Sequence, residues 1–459
     1  MSKNNAYYLF QNENNYYLYD VNGEEIIQIK EKLYNIIKKY RDSVERNKEE
    51  QNVIDMLLKN GFLSTFKQEI CYENAEDKIA YLSFAPTYKC NFRCKYCFGQ
   101  YGDSYKGDKK EFTPDILVKT LDYFFNVAFK NSTQYRIDFV SGGEPLLGFE
   151  IVKKTIEYVE NYVAKKGKRV SIWLCTNGSL LTTQIAKYLS DHNVSIGISI
   201  DGRKEYNDVT RPDVYGNGTY EQICKGIKIA RQEKNNNLWG LCTATNDNCN
   251  FVDILQHMKT LGFSNVQIRL VRSNQKYNTD EIKKQYTILK NEILKMYLKE
   301  DISLIRLILN DNDQFGKVFK RVILNSIGNH RCHAGVNKIT ICPDGSIYPC
   351  DSFVGISEFM LGNINSSWNR KIFSHATVNH IDKCNYCDIK YLCTGDCYYN
   401  SFVKNNDAFC PDEEFCVIQR HILELAIVLR YEMQINNNKL FEKIFKEIKL
   451  KDDYSELYG

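Results

Sequence analysis

No stretch of about 18 consecutive apolar residues occurs in this 459-residue chain, so no segment is long and apolar enough for a membrane-spanning helix. The opening run Met-Ser-Lys-Asn-Asn lacks the apolar core of a secretory signal, and a cytoplasmic chain with reduced thiols is expected. A charge excess of one sign is missing as well. With 61 basic and 57 acidic side chains the net charge is +4, which gives no general attraction to nucleic acid, and no membrane partner is expected. Internal repeats and long low-complexity tracts are absent.

What the chain has in excess is cysteine. At 43% hydrophobic it can bury the cores of two or three domains, and 17 cysteines sit among them. In a reducing compartment that number points to metal binding or catalysis and not to a disulfide framework. The spacing is uneven. Three cysteines cluster near residue 94, and nine lie from Cys332 to Cys416.

Residues 6–29 read as three short strands, with Asn22-Gly23 as a hairpin turn into Ile26 to Ile29. Two amphipathic helices follow. Leu33, Ile36, Ile37 and Tyr40 share a face of the first, and Val53, Met56 and Leu57 a face of the second. This gives a β3α2-3 unit over residues 1–66, then a polar linker over 67–78. Between residues 79 and 300 six strand patterns alternate with helical ones: Ile79–Ala85, Tyr135–Val140, Val170–Cys175, Val194–Ile200, Leu238–Thr245 and Val266–Val271. One helix opens at Thr113-Pro114, an N-cap followed by proline at the first helical position. Six βα units imply parallel strands and right-handed crossovers, in an α/β open sheet or partial (β/α)6 barrel with its site at the carboxyl ends of the strands. A helical connection over 301–330, a cysteine-rich domain over 331–433 with a closing helix from Cys416 to about Met433, and a polar tail over 434–459 that adds little complete the expectation.

The motifs fall at the strand ends. Cys90, Cys94 and Cys97 form C-x3-C-x2-C directly after the first strand. Three thiolates on one loop can hold three irons of a cubane cluster and leave one iron open to a ligand. A zinc knuckle, or three incidental buried thiols, is the plainer alternative. After the second strand comes Ser141-Gly142-Gly143-Glu144-Pro145, where glycines permit close backbone approach and Glu144 can accept from an ammonium group; an ordinary turn is the alternative. Thr176-Asn177 follows the third strand and Ser199-Ile200-Asp201 the fourth. Their side chains suit ribose hydroxyls and adenine, or equally the capping of the next helix.

In this order the motifs resemble the radical S-adenosylmethionine (SAM) superfamily over residues 79–300. The resemblance implies a [4Fe–4S] cluster on Cys90, Cys94 and Cys97, with S-adenosylmethionine on the open iron. It gives Gly142, Gly143 and Glu144 the methionine amino group and Arg211 the methionine carboxylate. From Cys332 the pattern C-x12-G-x4-C ends at Cys350, and Cys384-x2-Cys387-x5-Cys393-x3-Cys397 and Cys416 follow. This resembles the SPASM extension, which implies two auxiliary [4Fe–4S] clusters and three in all. Cys332, Cys350 and Cys397 would bind the first, short of a fourth ligand that Cys342 could supply unless that iron stays open. Cys384, Cys387, Cys393 and Cys416 would bind the second, with Cys410 competing for the last place. Two structural zinc sites are the alternative. Asp351, next to Cys350, stands where related maturases carry a base, and a turn cap is its plain alternative.

The amino-terminal unit resembles, in arrangement, the element that presents a strand edge to a leader peptide. Together these features resemble thioether-forming maturases of cysteine-rich ribosomal peptides. The resemblance implies a Cys-containing precursor with a leader as partner and an external electron donor such as a flavodoxin or ferredoxin. Two other functions compete: a sulfatase-type maturase forming formylglycine, which Asp351 favours, and a non-catalytic iron–sulfur or zinc scaffold.

Overall fold

The computed structural model describes residues 5–66, 79–100, 103–108, 111–140, 142–235 and 237–455, apart from the side chains of 371 and 451–455. The expected linker over 67–78, with Cys71, and Ser141 lie outside the described residues.

The chain opens with strands β1 (Tyr7–Asn12), β2 (Asn15–Asp20) and β3 (Glu25–Ile29), an antiparallel sheet in the order β1-β2-β3. The β2–β3 turn forms because Asp20 Oδ1 accepts from the backbone N–H groups of Asn22 and Gly23. Helices α1 (Glu31–Arg41) and α2 (Lys48–Lys59) follow, the second opened by an Asn47–Glu50 capping box. Strand alternation divides this sheet between two cores. Tyr7, Leu9 and Leu18 pack with Ile36, Ile37 and Ile54 inside the unit, while Tyr8, Phe10, Tyr17 and Tyr19 turn to the main core. At about 2 kcal/mol per fully buried large side chain, that second face docks the unit firmly. On α2 the packing face is Val53, Ile54 and Leu57; Met56, expected on it, is exposed, because Ile54 lies on the side that meets α1.

The six expected strands are β4 (Ile79–Phe84), β5 (Gln134–Phe139), β6 (Arg169–Thr176), β7 (Ser195–Ser199), β8 (Leu238–Ala244) and β9 (Asn265–Leu270), parallel neighbours in chain order. Helices α3 (Pro114–Tyr123), α4 (Phe149–Lys166), α5 (Thr183–Asp191), α6 (Lys204–Thr210), α7 (Tyr220–Gln232) and α8 (Phe251–Leu261) connect them, and the result is the partial (β/α)6 barrel. Thr113 caps α3 as expected, accepting from the Ile116 N–H with Pro114 at the first helical position. Helices α9 (Thr279–Tyr297), α10 (Ser303–Ile308) and α11 (Gln314–Leu324) lead into the cysteine-rich region.

That region extends the barrel sheet. Strand β10 (Lys338–Ile341) runs parallel to β4, with Thr340 bonded to Ser83 at 2.6 Å, and β11 (Ser346–Tyr348) and β12 (Gly362–Asn363) add antiparallel. Among the described residues the sheet is nine-stranded, in the order β12-β11-β10-β4-β5-β6-β7-β8-β9. Short helices α12 (Lys371–Ser374), α13 (Asp382–Asn385), α14 (Lys390–Cys393) and α15 (Tyr398–Asn405) follow, with Cys384 in α13, Cys393 in α14 and Cys397 at the N-cap of α15. The closing helix α16 (Glu413–Ser455) departs from expectation. It does not stop near Met433 but continues through a break at Asn437, because Phe441, Ile444 and Ile448 are buried at helical spacing in a segment whose overall composition is polar. No helix among the described residues is long and apolar enough to cross a membrane.

Candidate active site

The loop after β4 carries Cys90, Cys94 and Cys97 across the carboxyl end of the sheet. It is tied to the end of α6 and the residues just beyond: Lys95 N–H donates to Thr210 O at 2.9 Å, Arg93 N–H to Pro212 O at 2.7 Å, and Phe92 is buried. The three thiols lie within electrostatic reach of one another, and burial pushes Cys90 up to about 11 and Cys94 up to about 12. Half-buried thiols grouped in this way are ligands that bind a metal as thiolates.

The glycines after β5 serve the same loop. Gly142 has φ +142°, and a Cβ there would meet Ala85 and Tyr88. A Cβ on Gly143 would stand 2.1 Å from the Lys89 carbonyl oxygen. The close backbone approach anticipated toward a ligand is therefore made to residues 85–89, and Glu144 N–H completes it by donating to Lys89 O at 2.8 Å. The Glu144 carboxylate is buried. It accepts from Thr176 Oγ1 at 2.5 Å, Asn177 N–H at 2.7 Å and Leu146 N–H at 3.1 Å. Burial raises its pKa against these bonds. Of about four acceptor positions on a carboxylate, one is left for an ammonium donor.

Thr176 and Asn177 thus hold Glu144, and Asn177 Nδ2 also donates to Asn91 Oδ1 in the cysteine loop. Ser199 Oγ lies 3.9 Å from Cys175 Sγ. Asp201 is fully buried and accepts from Tyr96 OH, Thr210 Oγ1 and Thr243 N–H, so it braces the loops. Arg211 Nη1 donates to Tyr96 OH at 2.5 Å, while its Nε is buried with no partner among the described residues. A buried unpaired guanidinium N–H costs on the order of 1–3 kcal/mol and marks an anion position. Grouped thiols, a carboxylate with one acceptor position left and an orphaned cation together fit an iron–sulfur cluster carrying an amino-acid ligand.

The extension brings two further groups together. Cys350 lies within electrostatic reach of Cys332, Cys397, Asp351 and Lys338, and burial pushes its thiol up to about 12. Lys338 Nζ stands 3.5 Å from Asp351 Oδ1. Arg272, just beyond β9, is held above the usual guanidinium range, first by Cys397 and then by Asp351, Cys350 and Cys332. Cys342 is not part of this group, which corrects the expectation that it could complete the ligand set. It opens the turn Cys342–Gly345, which folds its thiol into the core 3.4 Å from Tyr88 OH. The second group joins Cys384 from α13, Cys387 from the turn that follows it, Cys393 from α14 and Cys416 from the first turn of α16. Cys410 is exposed on the loop before α16, and Cys416 stands with the other three. No three His, Cys, Asp or Glu side chains among the described residues converge on one ion. A cubane, whose ligands bind separate irons, asks for a wider spread.

Sequence reasoning missed Tyr96, Thr210, Arg272 and Lys338. Tyr96 carried a signal, an aromatic inside the C-x2-C; the others carried none.

The family profile described as the radical SAM superfamily matches residues 84–268. The chain is 27% identical over 369 residues to a cysteine-type anaerobic sulfatase-maturating enzyme of Clostridium novyi, covering 74% of this chain and 94% of that one. It is 24% identical to a serine-type enzyme of the same description from Bacteroides thetaiotaomicron, over 69% and 82% of the two chains. A radical SAM cyclopropyl synthase of Paramaledivibacter caminithermalis is 22% identical over 78% and 77%. The fold is shared with the solved structure of native anSMEcpe with bound AdoMet: TM-score 0.62 at 22% identity, over 78% of this chain and 99% of the other.

Proposed function

The chain carries a radical SAM domain, and we propose that it acts as a maturase that oxidises one side chain of a protein or peptide substrate, with Asp351 as the base. The observation that carries this is the placement of Asp351. It comes from the cysteine-rich extension, yet it lies within electrostatic reach of Cys175 at the end of β6 and of Arg272 beyond β9, at the mouth of the barrel.

When bound, S-adenosylmethionine on the Cys90/Cys94/Cys97 cluster supplies the hydrogen-abstracting radical, and the two auxiliary clusters supply the electron acceptor. The residues present do the rest. Glu144 and Arg211 hold the amino and carboxylate groups of the cofactor. Lys338 keeps Asp351 paired and oriented beside the sulfur group. Asp351 takes the proton that leaves the oxidised substrate residue. The electron that this chemistry needs would come from an external one-electron donor of the flavodoxin or ferredoxin class. The similarity to cysteine-type and serine-type sulfatase-maturating enzymes supports formylglycine as the product.

A second product, a Cys thioether in a leader-bearing precursor peptide, is supported by two observations. Among the described residues the first auxiliary group gathers Cys332, Cys350 and Cys397, which would leave one iron of a cubane for a substrate thiolate. The amino-terminal sheet, in which β3 pairs only with β2 among the described strands, suits an added leader strand. Anaerobic incubation with S-adenosylmethionine, a reductant and Cys- or Ser-containing peptides decides between them. An aldehyde trapped by a hydrazide marks formylglycine, whereas loss of two hydrogens with a thiol resistant to alkylation marks the thioether. In Asp351→Asn, 5′-deoxyadenosine should still form while oxidised peptide falls by about 10²-fold or more. No 5′-deoxyadenosine from the wild type would sink the maturase proposal.

A further inference from the structure

Arg420 carries no signal in the sequence, yet it occupies a junction. It lies one turn after Cys416 on α16, on the same face. Its Nη2 donates to Cys387 Sγ at 3.6 Å and to Asp388 Oδ1 at 2.6 Å. Its Nη1 donates to the Tyr8 hydroxyl at 2.9 Å, and the guanidinium carbon stands 5.7 Å from the centre of the Tyr8 ring. Tyr8 is buried on β1, and its hydroxyl donates onward to Glu424 Oε1 at 2.7 Å, one further turn along α16. A ligand sulfur of the second auxiliary group is therefore two hydrogen bonds from the amino-terminal sheet.

We propose that Arg420 is a positioning residue that sets the reduction potential of the Cys384/Cys387/Cys393/Cys416 cluster, and that Tyr8 makes this setting depend on how the amino-terminal sheet is seated. The inference rests on those four cysteines holding a cluster. A hydrogen bond to a ligand sulfur withdraws electron density and stabilises the reduced state, raising the potential. Arginine suits the task because its charge does not titrate and its planar fork reaches several acceptors in fixed geometry. Asp388 and Tyr8 grip the fork from two sides. A displacement of β1 would be passed to Cys387 Sγ through one phenol and one guanidinium. The sheet that would receive a peptide is thereby connected to the cluster that would accept its electron.

The test uses the full chain, reconstituted without oxygen, with iron and acid-labile sulfide counted and the cluster potentials followed by spectroscopically monitored redox titration. Arg420→Gln removes the sulfur bond. Arg420→Lys keeps the charge but cannot span three acceptors. Tyr8→Phe keeps the ring, stacked 5.2 Å from Phe10, and loses only the oxygen. The expected result is wild-type iron content with one auxiliary potential shifted downward, most in Arg420→Gln and Arg420→Lys and less in Tyr8→Phe, the other two clusters staying in place. If Arg420→Gln fails to fold or loses iron, Tyr8→Phe and Arg420→Lys decide. Unchanged potentials at full iron content in those two variants would overturn the inference while leaving the cluster assignment intact. A wild type with zinc in place of iron at these cysteines would overturn both.

Discussion

The Tyr96 hydroxyl receives the Arg211 guanidinium at 2.5 Å and donates in turn to Asp201 at 2.7 Å. Tyr96 stands between Cys94 and Cys97, so one phenol ties the cysteine loop to the end of β7 and aims the arginine. Arg211 is held through Nη1, and its buried Nε is left for an anion.

Arg211→Lys should therefore weaken S-adenosylmethionine binding by about 10- to 100-fold, the equivalent of one or two charge-assisted hydrogen bonds. Tyr96→Phe should weaken it less, by releasing the arginine without removing it. Calorimetric titration of the iron-loaded protein measures both. An unchanged Kd in Arg211→Lys would remove the carboxylate from this position.

Gly143→Ala tests the packing of the β5 loop on the cysteine loop. Its Cβ would meet the Lys89 carbonyl oxygen at 2.1 Å, and backbone cannot yield as a flexible side chain can. A loss of about 1–3 kcal/mol is expected by overpacking, together with loss of the iron bound by Cys90, Cys94 and Cys97. Denaturant midpoints and iron counts report the two effects, and a wild-type value for both would contradict the geometry.

Iron counts also test the placement of the auxiliary cysteines. The wild type should hold about 12 irons at four per cubane. Cys350→Ala and Cys416→Ala should each lose about four. Cys342→Ala and Cys410→Ala should lose none, since the first thiol is folded into the core beside Tyr88 and the second is exposed away from the others. Loss of iron in Cys342→Ala would return it to the ligand set.

Asp313 gives a pH signature in the metal-free protein. It caps α11 through Gly316 N–H and also accepts from Ile268 N–H on β9, and burial pushes its carboxyl up to about 7. The fold binds this proton more tightly than the unfolded chain does. Its contribution is complete below about pH 4 and is lost as the pH rises to about 7. Denaturation midpoints at several pH values should show the wild type losing stability relative to Asp313→Asn across that window. Parallel curves would mean that Asp313 is already ionised in the fold across that window.

Sequence alone determined what rests on local spacing and short periods. The strands β4 to β9 stand within about a residue of their expected bounds, because alternation and turn chemistry are local. The C-x3-C-x2-C loop and Glu144 were legible because each motif directly follows its own strand, whereas Arg211, at the end of α6, was named only through the family resemblance. Tertiary structure decided everything that depends on pairing between distant segments. It set β10 beside β4 across more than half the chain and folded Cys342 away from the thiols nearest to it in sequence. It brought Lys338 and Arg272 to Asp351, and it buried Phe441, Ile444 and Ile448 in a tail of polar composition. It also set Tyr8 against Arg420. Apart from the helical spacing of Phe441, Ile444 and Ile448, none of these has a local signature, because a side chain's partner across the fold is chosen by the packing of whole elements and not by its neighbours in the chain.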